Sequence, residues 1–166
     1  MKNAPVLDPF AVFGVEHRLD LDERALEKRY LQLSRELHPD RNRAAGVEDC
    51  AAVLARAAEV NDAWRVLRDR WERARVLLET QAPGALERHK QLDADFLLDA
   101  MELAEQVALA EPSTVPELRR RLAAQVDAAY AALRAAFAQR DHALAARRLH
   151  ESKYVRKAFA DLEART

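Results

Sequence analysis

Leu33-Ser34-Arg35-Glu36-Leu37-His38-Pro39-Asp40-Arg41-Asn42 is the stretch on which the reading of this chain turns. Apolar residues lead into it at Leu26, Tyr30, Leu33 and Leu37. Steps of four, three and four trace one face of an α-helix. Asp22 stands where a capping carboxylate is expected, with Leu21 and Leu26 at the two staple positions. Pro39 disfavours the helical conformation at His38, so the helix expected over 22–37 stops there. The chain then enters a solvated turn that carries an imidazole and a carboxylate at the end of a basic helix.

Upstream, Asp8-Pro9-Phe10-Ala11-Val12-Phe13-Gly14 reads as a short helix with Asp8 as N-cap, Pro9 in the first position and Gly14 ending it. Phe10 and Phe13 share a face and should enter a first core. Downstream of a polar loop from Arg41 to Gly46, a long helix is expected over 47–68, with Cys50, Val53, Ala57, Val60, Trp64 and Leu67 inward. Glu48 and Asp49 suit the positive end of its dipole. A fourth helix, 70–79, buries Trp71, Ala74, Leu77 and Leu78, and Gln81-Ala82-Pro83-Gly84 breaks the chain.

A second helical unit is expected from Asp93. Its first helix runs to about Ala110, and Thr114-Val115-Pro116-Glu117 has the spacing of a capping box for the next. Leu118, Leu122, Val126, Tyr130, Leu133 and Phe137 form the apolar stripe of that second helix. Asp141 can cap a last helix, with Leu149, Ser152, Val155, Phe159 and Leu162 inward. Three helices with short connections suggest an antiparallel bundle.

Composition agrees with an all-helical protein. Of 166 residues only 3 are Gly and β-branched residues are scarce, while straight-chain helix formers dominate. The single cysteine, Cys50, excludes an internal disulfide framework or an all-cysteine metal site, and reads as a small apolar group. The other histidines, His17, His89, His142 and His150, lack zinc-ligand spacing, and no Gly-rich phosphate loop is present. His38 has no sequence-placed nucleophile or second carboxylate to complete a triad, so catalysis is not expected and neither metal nor cofactor is implied. No apolar run approaches a membrane span and the start lacks a signal-peptide pattern, so a soluble cytoplasmic protein is expected.

The net charge of −1 implies no general nucleic-acid role, but it conceals zoning. Arg24 to Arg43 holds six basic and three acidic residues, whereas Asp93 to Glu111 holds six acidic residues and no Lys or Arg. Arg24, Lys28 and Arg35 lie away from the core stripe of their helix and can steer it onto an acidic partner surface. Asp40 can accept charge-assisted bonds from a partner arginine, with the turn fixed in advance by Pro39. In the 93–110 helix, Phe96, Ala100, Leu103 and Val107 form the inward stripe, yet Leu97, Leu98 and Met101 are also large and apolar. Glu102, Glu105 and Leu109 continue that outer surface. It is either buried under the first half of the chain or presented to a partner.

The His38-Pro39-Asp40 turn, the Pro-initiated helix before it and Val60-Asn61-Asp62-Ala63-Trp64 after it resemble the J domain, the module that activates DnaK-type chaperones. No Gly/Phe-rich linker or repeated CxxC region comes after it. With Asp8-Pro9-Phe10, Arg73-Ala74, Leu77-Leu78, Asp95-Phe96-Leu97-Leu98 and Met101-Glu102-Leu103, nearly the whole chain resembles the HscB-type co-chaperones of iron–sulfur cluster assembly. That resemblance implies an N-terminal J domain over 1–80, a linker over 81–92 and a C-terminal three-helix scaffold-binding domain over 93–166. It implies a DnaK-type (HscA) chaperone bound through His38, Pro39, Asp40, Arg24, Lys28 and Arg35, whose ATPase is stimulated. It also implies an IscU-type scaffold bound through Leu97, Leu98, Met101 and Tyr154, rimmed by Glu102 and Glu105; Tyr154 matches the family's aromatic in the last helix. Neither cluster nor nucleotide is expected to be held by the chain itself.

Three departures accompany the resemblance. Arg70 replaces a common proline, which leaves the third and fourth helices able to run together. Val76 replaces a tyrosine, and the absence of the zinc-binding extension of some eukaryotic relatives points to a bacterial member. Two alternatives stay open: a J protein with a different or general client, and a structural helical adaptor in which the tripeptide is accidental.

Overall fold

The computed structural model describes residues 8–38 and 47–165, so Pro39, Asp40 and the loop to Gly46 lie outside the described residues. Every regular element among the described residues is a helix, as the composition predicts: α1 (Pro9–Phe13), α2 (Glu23–Glu36), α3 (Val47–Arg68), α4 (Arg70–Gln81), α5 (Ala85–Arg88), α6 (Ala94–Ala108), α7 (Val115–Ala138) and α8 (His142–Glu163). The chain divides into two compact units, Met1–Leu77 and Leu78–Thr166.

In the first unit, α1 and α2 both pack on α3. Asp8 accepts from the amides of Phe10 and Ala11, and Gly14 ends α1 at φ 66°, a backbone conformation that favours glycine. Phe10, Phe13, Leu26, Val60, Ala63 and Leu67 are buried. Trp64 is half-buried, lying 6.4 Å from the Phe13 ring and 4.8 Å from Tyr30, and parallel to the latter within 8°. Tyr30, expected in the core, is half-buried for a reason: its hydroxyl donates to Asn61 Oδ1 at 3.1 Å and so stays at the rim. Cys50, Val53 and Ala57 are only partly buried, so the core lies toward the C-terminal half of α3.

The junction of α3 and α4 departs from the reading of Arg70. The helices do not run together: α3 ends at Arg68 and α4 begins at Arg70. Asp69 makes the break, because its carboxylate accepts from the Trp71 amide at 2.7 Å and the Glu72 amide at 3.1 Å. A side-chain acceptor thus satisfies two of the orphan donors of α4 without a proline. Arg73, 3% exposed, reaches back and donates through Nη1 to the Leu67 carbonyl, in the last turn of α3. A guanidinium suits that negative helix end.

In the second unit α5, α6 and α7 all pack on α8. Contacts fix the directions. Arg147 faces Asp93, Phe96 meets Tyr154, and Arg165 donates to the carbonyls of Val107 and Ala108. The paired positions climb together, so α6 and α8 are parallel. Arg119, at the start of α7, pairs with Glu163 at the end of α8, so α7 runs the other way. Val107, Leu118, Leu122, Ala158 and Leu162 form the core at the α6 C-terminal end.

Two local expectations change here. The stretch 81–92, expected as a linker, contains α5 with Ala85 buried, and the imidazole Nε2 of His150 on α8 lies 2.9 Å from the Leu86 carbonyl. The capping box at Thr114 and Glu117 does not form. Thr114 is in the helical region with no cap bond, its hydroxyl donates to the Glu111 carbonyl, and Glu117 pairs with Arg120 instead. Asp141, by contrast, does cap α8 through the Leu144 amide at 2.9 Å.

Urea unfolding should separate the real caps from the apparent one. Asp69→Ala and Asp141→Ala should each cost about 1 kcal/mol. Thr114→Ala should stay within about 0.5 kcal/mol of the parent.

Candidate functional site

The first surface is built on α2. Asp22 caps it by accepting from the amides of Arg24 at 3.0 Å and Ala25 at 3.1 Å. With Leu26 and Leu33 buried, the 100° step per residue fixes what faces away. Arg24, Lys28, Leu31 and Arg35 fall within an arc of about 60° on the opposite side, and all four are exposed. Arg29 stands outside this arc and is half-buried. Leu31 was missed by sequence reasoning; its signal is an apolar residue off the core stripe, and it is 47% exposed in the middle of three cations. The helix closes with the Leu37 amide on the Leu33 carbonyl at 3.0 Å. His38 comes directly after and is exposed, at the end of the basic stripe. Pro39 and Asp40, the rest of the predicted turn, lie outside the described residues.

The second surface is built on α6 and α8. Leu98 is 58% exposed and Met101 69%, with Glu102 and Glu105 exposed beside them. Leu97 is half-buried, because its position on the helix falls between the outer surface and the core. Tyr154 on α8 is 42% exposed, and its ring meets Phe96 edge to face at 5.6 Å and 85°. Phe96 therefore differs from the core role predicted for it: it is half-buried and borders a cleft rather than the bundle interior.

That cleft, about 480 Å³, lies between α6 and α7 with α8 beneath. It exists because α6 and α7 each pack on α8 and make no comparable contact with each other. Ala100 on α6 and Ala129 and Ala132 on α7 all line it, and their methyl groups are too small to fill the gap. Glu102 and Tyr154, both predicted site residues, line it, while Leu98 and Met101 remain on the outer side of α6. The α7 wall was missed by sequence reasoning. Its signal is Arg121, Gln125, Ala129 and Ala132, a helical stripe of small and polar residues beside the apolar one.

Among the described residues no group of three or more His, Cys, Asp or Glu is placed to hold a metal ion, and no helix is long and apolar enough to cross a membrane.

A family model described as the DnaJ domain matches residues 8–76, a span that includes the His38 turn. A second, described as the HSCB C-terminal oligomerisation domain, matches residues 92–163. The solved structure of chaperone HscB from Vibrio cholerae is 28% identical, covering 95% of this chain and 96% of its own, with a TM-score of 0.79. The chain belongs to the HscB-type J-domain co-chaperones. Its fold is shared with the human co-chaperone protein HscB, at a TM-score of 0.85 and 24% identity over 98% of this chain and 83% of that one. In this family member the first unit is thus a J domain and the second carries the HscB-type C-terminal domain.

Exposure makes a direct prediction about the outer α6 patch. Leu98→Ala and Met101→Ala should each change unfolding free energy by no more than about 0.5 kcal/mol. Leu122→Ala, at a fully buried site of the same unit, should cost about 2–5 kcal/mol by the same measurement.

Proposed function

We propose that this co-chaperone binds an iron–sulfur scaffold protein of the IscU type and delivers it to a DnaK-type chaperone of the HscA type, whose ATPase it stimulates. The reading is carried by one observation: a DnaJ-domain match and an HSCB C-terminal match succeed one another in a single chain. The charge zoning fits two such tasks. A basic stripe is suited to an acidic chaperone surface, and an acidic, partly apolar helix is suited to a different partner. In this division of labour the J domain meets the chaperone and 93–166 meets the scaffold, in the cytoplasm. The cluster is cargo on the scaffold.

The chaperone contact works in two stages. Arg24, Lys28 and Arg35 attract the partner through a screened field that extends about 8–10 Å at ordinary salt. His38, Pro39 and Asp40 then dock, with Asp40 accepting from a partner arginine and Leu31 giving the basic stripe an apolar contact to bury. The scaffold contact uses Leu98, Met101 and Tyr154 as desolvated anchors, with Leu97 beside them and Glu102 and Glu105 on the rim. Tyr offers a large area at a small loss of rotamer freedom.

His38→Gln or Asp40→Asn should abolish stimulation of the chaperone's ATPase without changing the melting curve, and full stimulation by either would remove the J-domain activity. The triple change of Arg24, Lys28 and Arg35 to Ala should slow chaperone association and flatten its salt dependence, as stopped-flow binding would show. A combined Leu97, Leu98 and Met101→Ala variant should lose scaffold binding in a calorimetric titration yet still raise the chaperone's basal ATPase. An unfolded protein titrated in parallel should neither bind nor compete; if it does, the client is general.

A further inference from the structure

Resting on the scaffold-binding reading above, we propose that the cleft between α6 and α7 is a socket for one large apolar side chain of the scaffold partner. The outer patch of α6 is then only part of the contact surface. The α7 wall, through Ala129 and Ala132, becomes a determinant of which scaffold is accepted.

The chemistry of the lining selects the occupant. Phe96, Ala100, Leu103, Ala129, Ala132 and Val155 line the cleft together with polar and charged residues. Several of the polar groups among them are already engaged. Arg148 donates to Glu151 at 2.7 Å, Arg121 to Gln106 at 2.6 Å, and the Ser152 hydroxyl to the Leu149 carbonyl at 2.9 Å. A polar ligand would have to break these bonds before gaining its own, whereas an apolar group only displaces water. The volume of about 480 Å³ accepts an aromatic or a long aliphatic side chain with its flanking backbone.

Two features point to a protein segment at this site. The mouth is continuous with the proposed scaffold surface, since Tyr154 and Glu102 belong to both and Leu98 lies beyond Glu102 on α6. The mouth is also charge-sorted. The α6 edge presents Asp99 and Glu102 on a helix with no Lys or Arg, whereas on the far edge Arg148 is paired with Glu151 and Arg121, bonded to the neutral Gln106 amide, keeps its positive charge. A segment with an apolar anchor and a cation on its α6 side matches that order, whereas an inverted segment meets like charges. Anchors that enter a preformed pocket ringed by polar residues carry most of the energy of such interfaces.

The test plugs the socket from the wall that the outer patch does not use. Ala129→Phe and Ala132→Phe, each in the full chain, are titrated with the IscU-type scaffold, beside Leu98→Ala/Met101→Ala and the parent. Melting curves and stimulation of the chaperone's basal ATPase serve as controls. The plugged variants should bind the scaffold about tenfold more weakly or worse while retaining stimulation. Unchanged affinity in a folded plugged variant, with binding lost in the outer-patch variant, overturns the socket and leaves the scaffold reading standing. Unchanged affinity in all variants removes both. Plugging that abolishes self-association in sedimentation but spares scaffold affinity assigns the cleft to a second copy and also overturns the proposal. The parent protein supplies a check independent of mutant folding: the Ala100, Ala129 and Ala132 methyl resonances should shift when scaffold is added, and their constancy at saturation would refute the socket.

Discussion

The ring stack on Trp64 is the constraint on which the working face of the first unit depends. Phe13 of α1, Tyr30 of α2 and Trp64 of α3 meet there, so a single indole ties three helices. The Tyr30 hydroxyl, bonded to Asn61, fixes α2 in rotation as well as in distance. Rotation decides which side chains of α2 face outward. A rotation of α2 would swing its cations toward the core, whereas this pairing holds Arg24, Lys28 and Arg35 outward with Leu31 among them. The motif at 60–64 thus acts through α2, although none of its residues belongs to the basic stripe.

The second unit depends on a different constraint, the sharing of α8 by three helices. A central helix with Ala145, Ala146, Ser152 and Ala158 buried permits close approach on several sides. Its neighbours then need not meet one another. Where side chains are large, near Val107, Leu118 and Leu162, the bundle closes; where Ala100, Ala129 and Ala132 line it, it opens into the cleft. The size of side chains along one bundle therefore separates a closed, packed part from a part left open. Leu98 and Met101 lie on the outer side of the same helix that walls the cleft, so α6 can present two apolar features while keeping one buried stripe.

Helix ends show how little of a capping motif is in its letters. Asp69 and Asp141 each place a carboxylate over free amides, and in both the backbone leaves the helix at the right residue. Thr114 and Glu117 have suitable spacing, but Thr114 is already helical and its hydroxyl is drawn to the Glu111 carbonyl. The preceding turn wins because it satisfies both the Thr114 and Val115 amides on Glu111. At the α3–α4 corner, Arg73 adds a buried cation whose Nε has no hydrogen-bond partner among the described residues. Removing such a group from water is tolerable because the guanidinium lies on the negative end of α3 and donates to a carbonyl there.

Periodicity and composition by themselves determined that the chain is helical, where α2, α3, α7 and α8 lie within a residue or two, and which stripe of each turns inward. They did so because a 3.6-residue repeat of apolar side chains has one stable solution in water, burial of that stripe. They also placed the exposed His38, the basic face of α2 and the outer apolar residues of α6, since charge and apolarity off the core stripe are visible in one dimension. The tertiary structure alone decided that Phe96 leaves the core to meet Tyr154, that Leu97 is half-buried where Leu98 is not, and that Ala129 and Ala132 wall a cleft. A helical repeat reports direction but not what stands opposite. The space between two helices is set by the sum of side chains contributed from distant parts of the sequence, and here that sum falls short between α6 and α7.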